Sequence, residues 1–255
     1  AAIKRKIEAV GTPLREWDIS INYGIKTGCN EAFIISTARR DEILAACRDE
    51  AERERTAELI RPILRGRDIK RYGYEWAELW LIATFPSRHY DIEQYPAVRD
   101  YLLSFGREKL EQTGATYIRD GQEFKARKKT NNQWFETQDS ISYWEDFEKP
   151  QILWIELSDE PKFCFAEKFV SLNTIFFLTG ENIHHILGLL NSKLITWYFK
   201  HCIGTTSGVG TNRWLKYTIE RRPIAGVDPR VEEFATLRCE DDTENREEID
   251  YKLSH

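Results

Sequence analysis

The stretch TGENIHHILGLLNSKLITWYFKHCIGTTSGVGTNRWLKYTIERRPIA, residues 179–225, decides the fold that we expect. Its apolar residues recur at spacings of three and four from Ile183 to Tyr198, which places them on one face of an α-helix. Other apolar residues lie off this face, so the helix should be covered on more than one side, as a helix packed against a sheet would be. We therefore predict a central helix over about 181–201, capped by Thr179 and ended by Gly204.

The second half of the same stretch combines a Gly/Ser/Thr-rich loop with positive charge. Residues 193–222 hold six Lys or Arg against one Glu, a local charge of +5 in a chain whose net charge is −5. Binding responds to the local field more than to the total charge. The sequence thus predicts that the central helix carries a flexible, cationic loop with aromatic residues to a surface.

The composition is that of a folded protein with a sizeable core. The chain has 255 residues, of which 41% are hydrophobic. It has no apolar run of membrane-spanning length and no signal-peptide pattern at its start, which favours a cytoplasmic protein without a membrane partner. Its five cysteines have no paired spacing, which indicates free thiols.

The acidic balance of the chain lies at its C-terminal end. Residues 227–255 hold ten Asp or Glu against four Lys or Arg, so residues 1–226 carry a net charge of +1. We predict a body over 1–226 and an acidic tail over 227–255, with a solvated helix at about 228–239. The acidity of the whole chain therefore does not argue against a nucleic-acid surface on the body.

Apolar runs of strand length alternate with helical patterns along the body. The fold class that we predict is α+β, with a mixed, largely antiparallel sheet packed on the central helix, long basic loops and a C-terminal helical tail. The short links between the last three predicted strands make them antiparallel neighbours. The predicted strands are 18–23, 31–36, 78–85, 151–157, 162–165 and 169–178, and the further predicted helices are 38–59 and 95–112.

Two early loops carry candidate contacts to a partner. In GIKTGCN, residues 24–30, glycines flank Lys26 and Thr27, so the backbone could approach a partner closely, although composition alone favours an ordinary turn. In RPILRGRDIKRYG, residues 61–73, Pro62 and Gly66 disfavour regular structure, so the cations lie on a loop. The candidates in this second loop are Arg65, Arg67, Lys70 and Arg71.

The segment DGQEFKARKKTNN, residues 120–132, and the loop after the central helix complete the set. Cations suit phosphates, and amides can pair with adenine in the major groove. We take Asn131, Asn132, Asn212 and Arg213 as candidate base readers. The other candidates in these two segments are Lys125, Arg127, Lys128, Lys129, Thr206, Ser207 and Lys216.

Common catalytic motifs are absent from the sequence. It has no Gly-x-Ser-x-Gly motif, and GVG at 208–210 follows a predicted helix rather than a strand and lacks a third glycine. His184, His185, His201 and Cys202 lack the acidic or Cys pair that would complete a metal site.

Two alternative functions stay open. Asp100 or Asp120, together with Glu123 and Lys125, could form the carboxylate and lysine set of a metal-dependent nuclease. The eight Trp and eleven Tyr could instead serve a protein-binding or glycan-binding scaffold, although most of them fall in strand and helix patterns, where core packing is the commoner use.

Six sequence blocks resemble one family in consistent order from about residue 11 to 224. They are similar to the TaqI-like C-terminal specificity domain of type IIG restriction-modification enzymes and related adenine-N6 DNA methyltransferases, and LLNSKL is also similar to type I specificity subunits. The blocks are GIKTGCNEAFII (24–35), LRGRDIKRY (64–72), LIATFP (81–86), DIEQYPAVRDYL (91–102), ARKKTNNQWFETQDSISYWEDFEKPQILWIELS (126–158) and LTGENIHHILGLLNSKLITWYF (178–199).

The resemblance implies a module that recognises double-stranded DNA and does not itself catalyse a reaction. In such enzymes an upstream methyltransferase domain binds S-adenosylmethionine through a Gly-rich motif and accepts the flipped adenine at an Asn-Pro-Pro-Tyr motif. This sequence contains neither motif, so the cofactor, and a divalent metal if the parent protein cuts DNA, would belong to other domains. Residues 1–10 would be the end of the linker from the methyltransferase domain, the other partner that the resemblance implies.

Overall fold

The computed structural model describes residues 2–119, 121–203, 206–207 and 211–240, and for residues 119, 203, 206–207 and 211–212 it describes the backbone alone. None of the helices in this part of the chain has the length and hydrophobicity that crossing a membrane requires.

The secondary structure mixes short helices with short strands, as the predicted α+β class requires. Within the described residues the helices are α1 (Ala2–Val10), α2 (Asn30–Phe33), α3 (Thr37–Ala45), α4 (Glu50–Leu59), α5 (Pro96–Leu103), α6 (Arg107–Leu110), α7 (Ile183–Leu190), α8 (Lys193–Tyr198), α9 (Lys216–Glu220) and α10 (Pro229–Glu240). The strands are β1 (Gly11–Pro13), β2 (Ile19–Tyr23), β3 (Ile34–Ser36), β4 (Ile60–Leu64), β5 (Leu79–Ile82), β6 (Thr116–Arg119), β7 (Gln122–Lys125), β8 (Pro150–Ile155), β9 (Leu157–Ser158), β10 (Cys164–Glu167), β11 (Val170–Ser171), β12 (Ile175–Gly180), β13 (Thr206–Ser207), β14 (Thr211–Arg213) and β15 (Pro223–Ala225).

Two sheets form the centre of the molecule. One has the strand order β10-β8-β12-β2, and all its pairs are antiparallel. The predicted antiparallel pairing is confirmed for β8 with β10 and for β8 with β12, whereas β10 and β12 lie on opposite sides of β8 and do not pair with each other. The other has the order β11-β4-β5-β3, in which β11 and β4 are parallel and the remaining pairs antiparallel. Smaller pairings join β1 to β15, β6 to β7, and β13-β14-β9.

The first sheet is covered on both faces, which explains why β8 and β12 are continuous apolar runs. Along β12, Phe177 points into a core that it shares with the second sheet and with α3, α4 and α5. Its neighbours Phe176 and Leu178 point into another core, which contains the apolar residues of α7 and α8. Two hydrophobic layers therefore hold this sheet in place.

The central helix is not continuous over 181–201. Asn182 precedes α7, Asn191 ends it, and Ser192 caps α8 by accepting a hydrogen bond from the backbone of Ile195 at 3.1 Å. The break is built into the core, because the buried Asn191 amide donates to the carbonyl of Phe163 at 2.9 Å. A π-helical turn over Phe199–Ile203 follows α8. The break also rotates the apolar face, so that Leu194 is exposed and Ile195 is buried.

The predicted helix over 38–59 is likewise two helices. Ser36 caps α3, and Asp49 caps α4 by accepting from the backbone of Glu52 at 2.8 Å. The buried Glu52 carboxylate accepts in turn from the backbone of Arg48 and of Ala97, each at 2.9 Å. This reciprocal capping fixes a turn between the helices and ties it to the start of α5.

Both ends of the described chain pack on the body. In α10, Ala235 is buried against Gly188 of α7, so the predicted solvated helix has one face in the core. In α1, Ile7 is buried and Glu8 accepts a hydrogen bond from the hydroxyl of Tyr198 at 2.9 Å. Residues 241–255 of the predicted tail and Gly204, the predicted end of the central helix, lie outside the described residues.

Candidate nucleic-acid interface

One edge of the first sheet gathers several of the predicted loops. Tyr23 at the end of β2 pairs with Phe176, and Ile155 at the end of β8 pairs with Ile175 at the start of β12. The segments after β2, after β8 and before β12 therefore leave the sheet at the same side. We call residues 24–28, 65–67, 156–158 and 172–174 the loop edge.

Backbone hydrogen bonds fix the order of the segments along the loop edge. The carbonyl of Ile25 accepts from the backbone of Asn173 at 3.0 Å, and the carbonyl of Leu64 accepts from the backbone of Leu172 at 3.0 Å. Residues 172–174 thus lie between residue 25 and residue 64. On their far side the carbonyl of Thr174 accepts from the backbone of Glu156 at 3.3 Å. These bonds bring together loops that are more than 100 residues apart in sequence.

Lys26 and Arg67 are the candidates that the loop edge presents to solvent without a partner. Both side chains are exposed, and within the described residues neither forms an ion pair or a side-chain hydrogen bond. Gly66, next to Arg67, lies so close to residue 174 that an added Cβ would be 3.1 Å from Oγ1 of Thr174. A free ammonium and a free guanidinium on fixed backbones suit binding to phosphate.

Arg213 joins the same region through Glu156. β14 pairs with β9, and the exposed Arg213 guanidinium lies 2.5 Å from the Glu156 carboxylate. For Thr206, Ser207 and Asn212 the described residues give the backbone strands β13 and β14, and these side chains lie outside what the structure describes.

Arg127 is a buried structural residue and does not reach the surface. Its guanidinium donates to the backbone carbonyls of Leu110, Thr27, Glu136 and Trp134 at 2.8, 2.8, 2.7 and 2.6 Å. Burial lowers the pKa of Arg127 to about 10. Four of its five N–H donors are used inside the protein and the side chain is buried, so Arg127 is not presented to a phosphate as the sequence predicted. It fixes residues 126–136 against residue 27.

The side chains of Thr27 and Asn132 also form hydrogen bonds within the protein. The buried Thr27 hydroxyl donates to Oδ1 of Asn30 at 2.6 Å and accepts from the backbone of Cys29 at 3.1 Å. The Asn132 amide donates to the carbonyls of Thr137 and Gln138 at 3.2 and 2.9 Å. Both residues hold their own loops in shape: Thr27 is buried, and the amide nitrogen of Asn132 donates inside the protein.

The other predicted cations of the second basic loop have intramolecular partners. Arg65 forms a forked pair with the buried Asp68, with contacts of 2.7 and 3.1 Å. Arg71 donates to the carbonyl of Asn191 at 2.7 Å, and Lys70 lies 3.3 Å from Glu75. Lys216 likewise donates to the carbonyl of Ile21 at 2.8 Å. Neutralised or anchored cations contribute less to a phosphate-binding field than free ones do.

The segment after the β6–β7 hairpin keeps a group of free cations. Lys125, Lys128, Lys129 and Asn131 are exposed, and in the described part of the chain none of them has a side-chain partner. Because the neighbouring Arg127 is bonded to the carbonyl of Thr27, this group lies beside the loop edge.

The aromatic residue predicted for the cationic loop is in the core. Trp214 stacks on Phe199 with ring centroids 4.0 Å apart, and its indole donates to the carbonyl of Ser158 at 2.9 Å. Arg222 is fully buried beside Phe199 and Trp214, and burial lowers its pKa. Trp214 and Arg222 therefore belong to the hydrophobic core and not to a flexible surface loop.

The described residues give no support to the nuclease alternative. Glu123 and Lys125 are exposed on β7, Asp100 pairs with Arg99 at 2.9 Å, and Asp120 lies outside the described residues. Nowhere in the described ranges do three or more His, Cys, Asp or Glu side chains group as metal ligands would. His185 contacts the carbonyl of Ala225 at 3.0 Å, a structural use.

Asn173 and Thr174 are loop-edge residues that sequence reasoning missed. Both side chains are exposed, between Lys26 and Arg67. The predicted strand over 169–178 covered them, whereas the chain leaves β11 after Ser171 and starts β12 at Ile175. The polar residues Asn173 and Thr174 inside an otherwise apolar run were the signal that the sequence offered.

Two of the solved structures that are similar to this chain show its fold. The type IIL restriction-modification enzyme MmeI, solved in complex with DNA, has a TM-score of 0.55 at 14% identity, and the match covers 91% of this chain and 29% of that one. The type IIG restriction endonuclease BpuSI has a TM-score of 0.55 at 10% identity, covering 95% of this chain and 28% of that one. This chain therefore spans less than a third of either enzyme. No curated protein sequence matches it.

The family comparison identifies the chain more specifically. The family model of the TaqI-like C-terminal specificity domain matches residues 61–224, which is more than half of the chain and falls within the region where the sequence blocks resemble that family. The chain belongs to the TaqI-like C-terminal specificity domain family.

Proposed function

We propose that this chain is the target-recognition domain of a type II restriction-modification protein and that its loop edge binds double-stranded DNA. The observation that carries the proposal is the row of Lys26, Asn173 and Arg67, which three separate segments bring side by side. Cations position a protein on the phosphates, and a polar group between them reads bases. The specificity-domain family and the likeness to an enzyme solved with DNA support this use.

In this proposal catalysis belongs to other domains of the same polypeptide. The parent would be an adenine-N6 methyltransferase of the type IIG kind, a component of bacterial defence. An upstream domain would bind S-adenosylmethionine, because the motifs for that cofactor and for the flipped adenine do not occur in this sequence. This chain would supply the choice of target sequence.

The salt dependence of duplex binding tests the proposal. We compare the wild-type chain with the double variant Lys26→Ala/Arg67→Ala by fluorescence anisotropy on a labelled duplex, from low to moderate salt. Each phosphate contact contributes about one unit to the slope of log K against log salt, so the double variant should bind more weakly and lose about two units of slope.

Lys168 provides the matched control. It is exposed and has no partner in the described residues, and it follows Glu167, which pairs with Pro150 at the opposite end of β8 from the loop edge. Lys168→Ala should leave the affinity and the slope unchanged. Equal binding by the wild type and the double variant would contradict the proposal, and so would a wild-type chain that fails to bind at low salt.

A further inference from the structure

A cavity of about 270 Å³ opens at the loop edge. Its walls come from residues 23–26, residues 139–143 and Asn173. The exposed side chains around it include Tyr23 and Lys26 and the hydroxyls of Ser140 and Ser142. The cavity therefore offers hydrogen-bonding groups at the place where we propose that DNA binds.

Asn173 has an uncommitted amide on a fixed backbone. Its backbone N–H donates to Ile25, and its neighbours Leu172 and Ile175 are bonded to Leu64 and to Leu172, respectively, at 3.0 and 2.9 Å. Its side chain is exposed and forms no hydrogen bond within the described residues. The backbone that carries this amide is therefore held in place, and the amide itself has unused donors and acceptors for a partner.

Three other asparagines near the loop edge use amide groups inside the protein. Asn132 donates to two carbonyls of its own loop, and Asn22 donates to Asp146 at 2.8 Å. Asn30 accepts from the Thr27 hydroxyl at 2.6 Å. Asn173 thus takes the role that the sequence had suggested for Asn132.

The wall opposite Asn173 is also fixed. Ile141 has a φ of +53°, a left-handed conformation that β-branched residues rarely adopt. Ser87 holds it there, because its backbone donates to Ser140 at 3.1 Å and its hydroxyl donates to the carbonyl of Ile141 at 2.7 Å. Strained backbone that its surroundings hold in place is frequent at ligand sites, where it pre-organises the contacts.

The charges of the cavity favour a neutral ligand edge over a phosphate. Lys26 contributes an ammonium, but Asp139 also lines the cavity, and its carboxylate accepts from the backbone of Lys26 at 3.0 Å. A phosphate inside the cavity would be repelled by Asp139. The edge of a base carries both a donor and an acceptor, and the cavity offers hydrogen-bonding groups that match both. Lys26 can reach a phosphate at the rim of the cavity.

We infer that Asn173 is a specificity-determining residue that reads adenine from the major groove. Its amide oxygen accepts from N6 and its amide nitrogen donates to N7, the bidentate pairing that an asparagine makes with adenine. The inference rests on the proposed function, and it assigns one position of the DNA target to one side chain.

Selection of binding sites from a pool of random duplexes tests the inference. The wild-type chain should select sites with an invariant A·T pair at one position. Asn173→Ala should lose that preference by about 10- to 100-fold while keeping the preferences at the other positions. Lys168→Ala, which changes an exposed residue at the opposite end of β8 from the loop edge, should keep the whole motif.

A base analogue gives an independent readout on the wild-type chain. Replacing the invariant adenine by 7-deaza-adenine removes the N7 acceptor, so the wild-type chain should bind this duplex more weakly, and Asn173→Ala should bind both duplexes equally. Because the wild-type half of this test needs no variant, it can overturn the inference even if the variant misfolds.

The outcomes separate the inference from the proposed function. If wild type selects a motif and Asn173→Ala selects the same motif with the same discrimination, the inference is wrong and the proposed function stands. A motif without an invariant A·T pair, or equal wild-type binding to adenine and 7-deaza-adenine, would also overturn the inference. If wild type selects no sequence, both are overturned.

Discussion

The Arg127 guanidinium donates to the carbonyl oxygen of Thr27 at 2.8 Å, across 100 residues of sequence. The same side chain also bonds to the carbonyl of Leu110, so one buried arginine joins the loop after β2, the end of α6 and the segment after β7. A cation placed in a basic segment thus organises the neighbouring free lysines without contacting a ligand itself. Variants of Arg127 and of the adjacent Lys128 test this difference between a structural and a binding role directly.

Arg127→Ala should destabilise the fold, whereas Lys128→Ala should not. Loss of the guanidinium leaves several buried carbonyls without donors, which costs on the order of 3 kcal/mol in the free energy of unfolding. Lys128 is exposed, so its removal should change stability by less than about 0.5 kcal/mol while lowering the salt slope of duplex binding by about one unit. Urea unfolding and anisotropy measure the two effects. A stable Arg127→Ala variant with a reduced slope would reverse the assignment.

Gly24→Ala should disturb the loop edge through the backbone. A Cβ at this position would lie 2.0 Å from the carbonyl oxygen of Leu172, so residues 24 and 172 must move apart, at a cost of about 1–3 kcal/mol. At Gly73 an added Cβ meets nothing within 4 Å, and there Ala should be neutral or stabilise by up to about 1 kcal/mol. Urea midpoints compare the two variants. Equal stability of both would show that the close approach at Gly24 is not required.

Arg222→Met should leave the protein as stable as wild type or more stable. The buried guanidinium has no hydrogen-bond partner among the described residues and contacts the faces of Phe199 and Trp214, at 4.4 and 4.8 Å from the ring centroids. Burying an unpaired charge destabilises the fold by more than the cation–π contacts stabilise it, which is about 2 kcal/mol. Met fills a similar volume and carries no charge. A loss of more than about 2 kcal/mol on urea unfolding would show that the charge is needed.

Tyr143 should make the fold sensitive to alkaline pH. Its hydroxyl donates to the carbonyl of Tyr23 at 3.0 Å, and burial, followed by the nearby Asp139 carboxylate, raises its pKa to about 12. Because the unfolded chain releases this proton near its ordinary pKa of about 10, the contribution of Tyr143 is present below pH 10 and is lost between about pH 10 and 12.

The comparison of wild type with Tyr143→Phe isolates this group. The difference in the free energy of unfolding, wild type minus variant, should fall as the pH rises from 9 to 11.5. The exposed Tyr217 is the control, and Tyr217→Phe should follow the wild-type pH profile. A difference that stays constant with pH would show that Tyr143 ionises equally in both states.

The hydrophobic periodicity of the sequence predicted the helices and strands whose burial pattern is regular along their whole length. The apolar runs at 151–157 and 169–178 were predicted as strands, and the short links between the strands of this region predicted antiparallel neighbours, as β8 and β12 are. Periodicity cannot show where a polar side chain interrupts an element by bonding elsewhere. Asn191 breaks the central helix through Phe163, and Glu52 divides α3 from α4 through Ala97. Both partners are distant in sequence.

The sequence indicated the segments that form the candidate site, but only some of the individual residues in them. The loops containing Lys26 and Arg67, which the sequence indicated separately as candidate contacts, lie at one edge of the sheet. Arg127 and Lys128 are adjacent and have the same charge sign, yet one is buried and the other is exposed. What separates them is the set of backbone carbonyls around Arg127, and these come from distant parts of the chain.

Lysine footprinting tests the central claim that DNA lies along the loop edge. The chain is labelled with an amine-reactive reagent with and without saturating duplex, and the labelling of each lysine is read by mass spectrometry. We predict that duplex protects Lys26, while Lys168 at the opposite end of the sheet reacts equally in both samples. Protection of Lys168 with Lys26 unprotected would contradict the account.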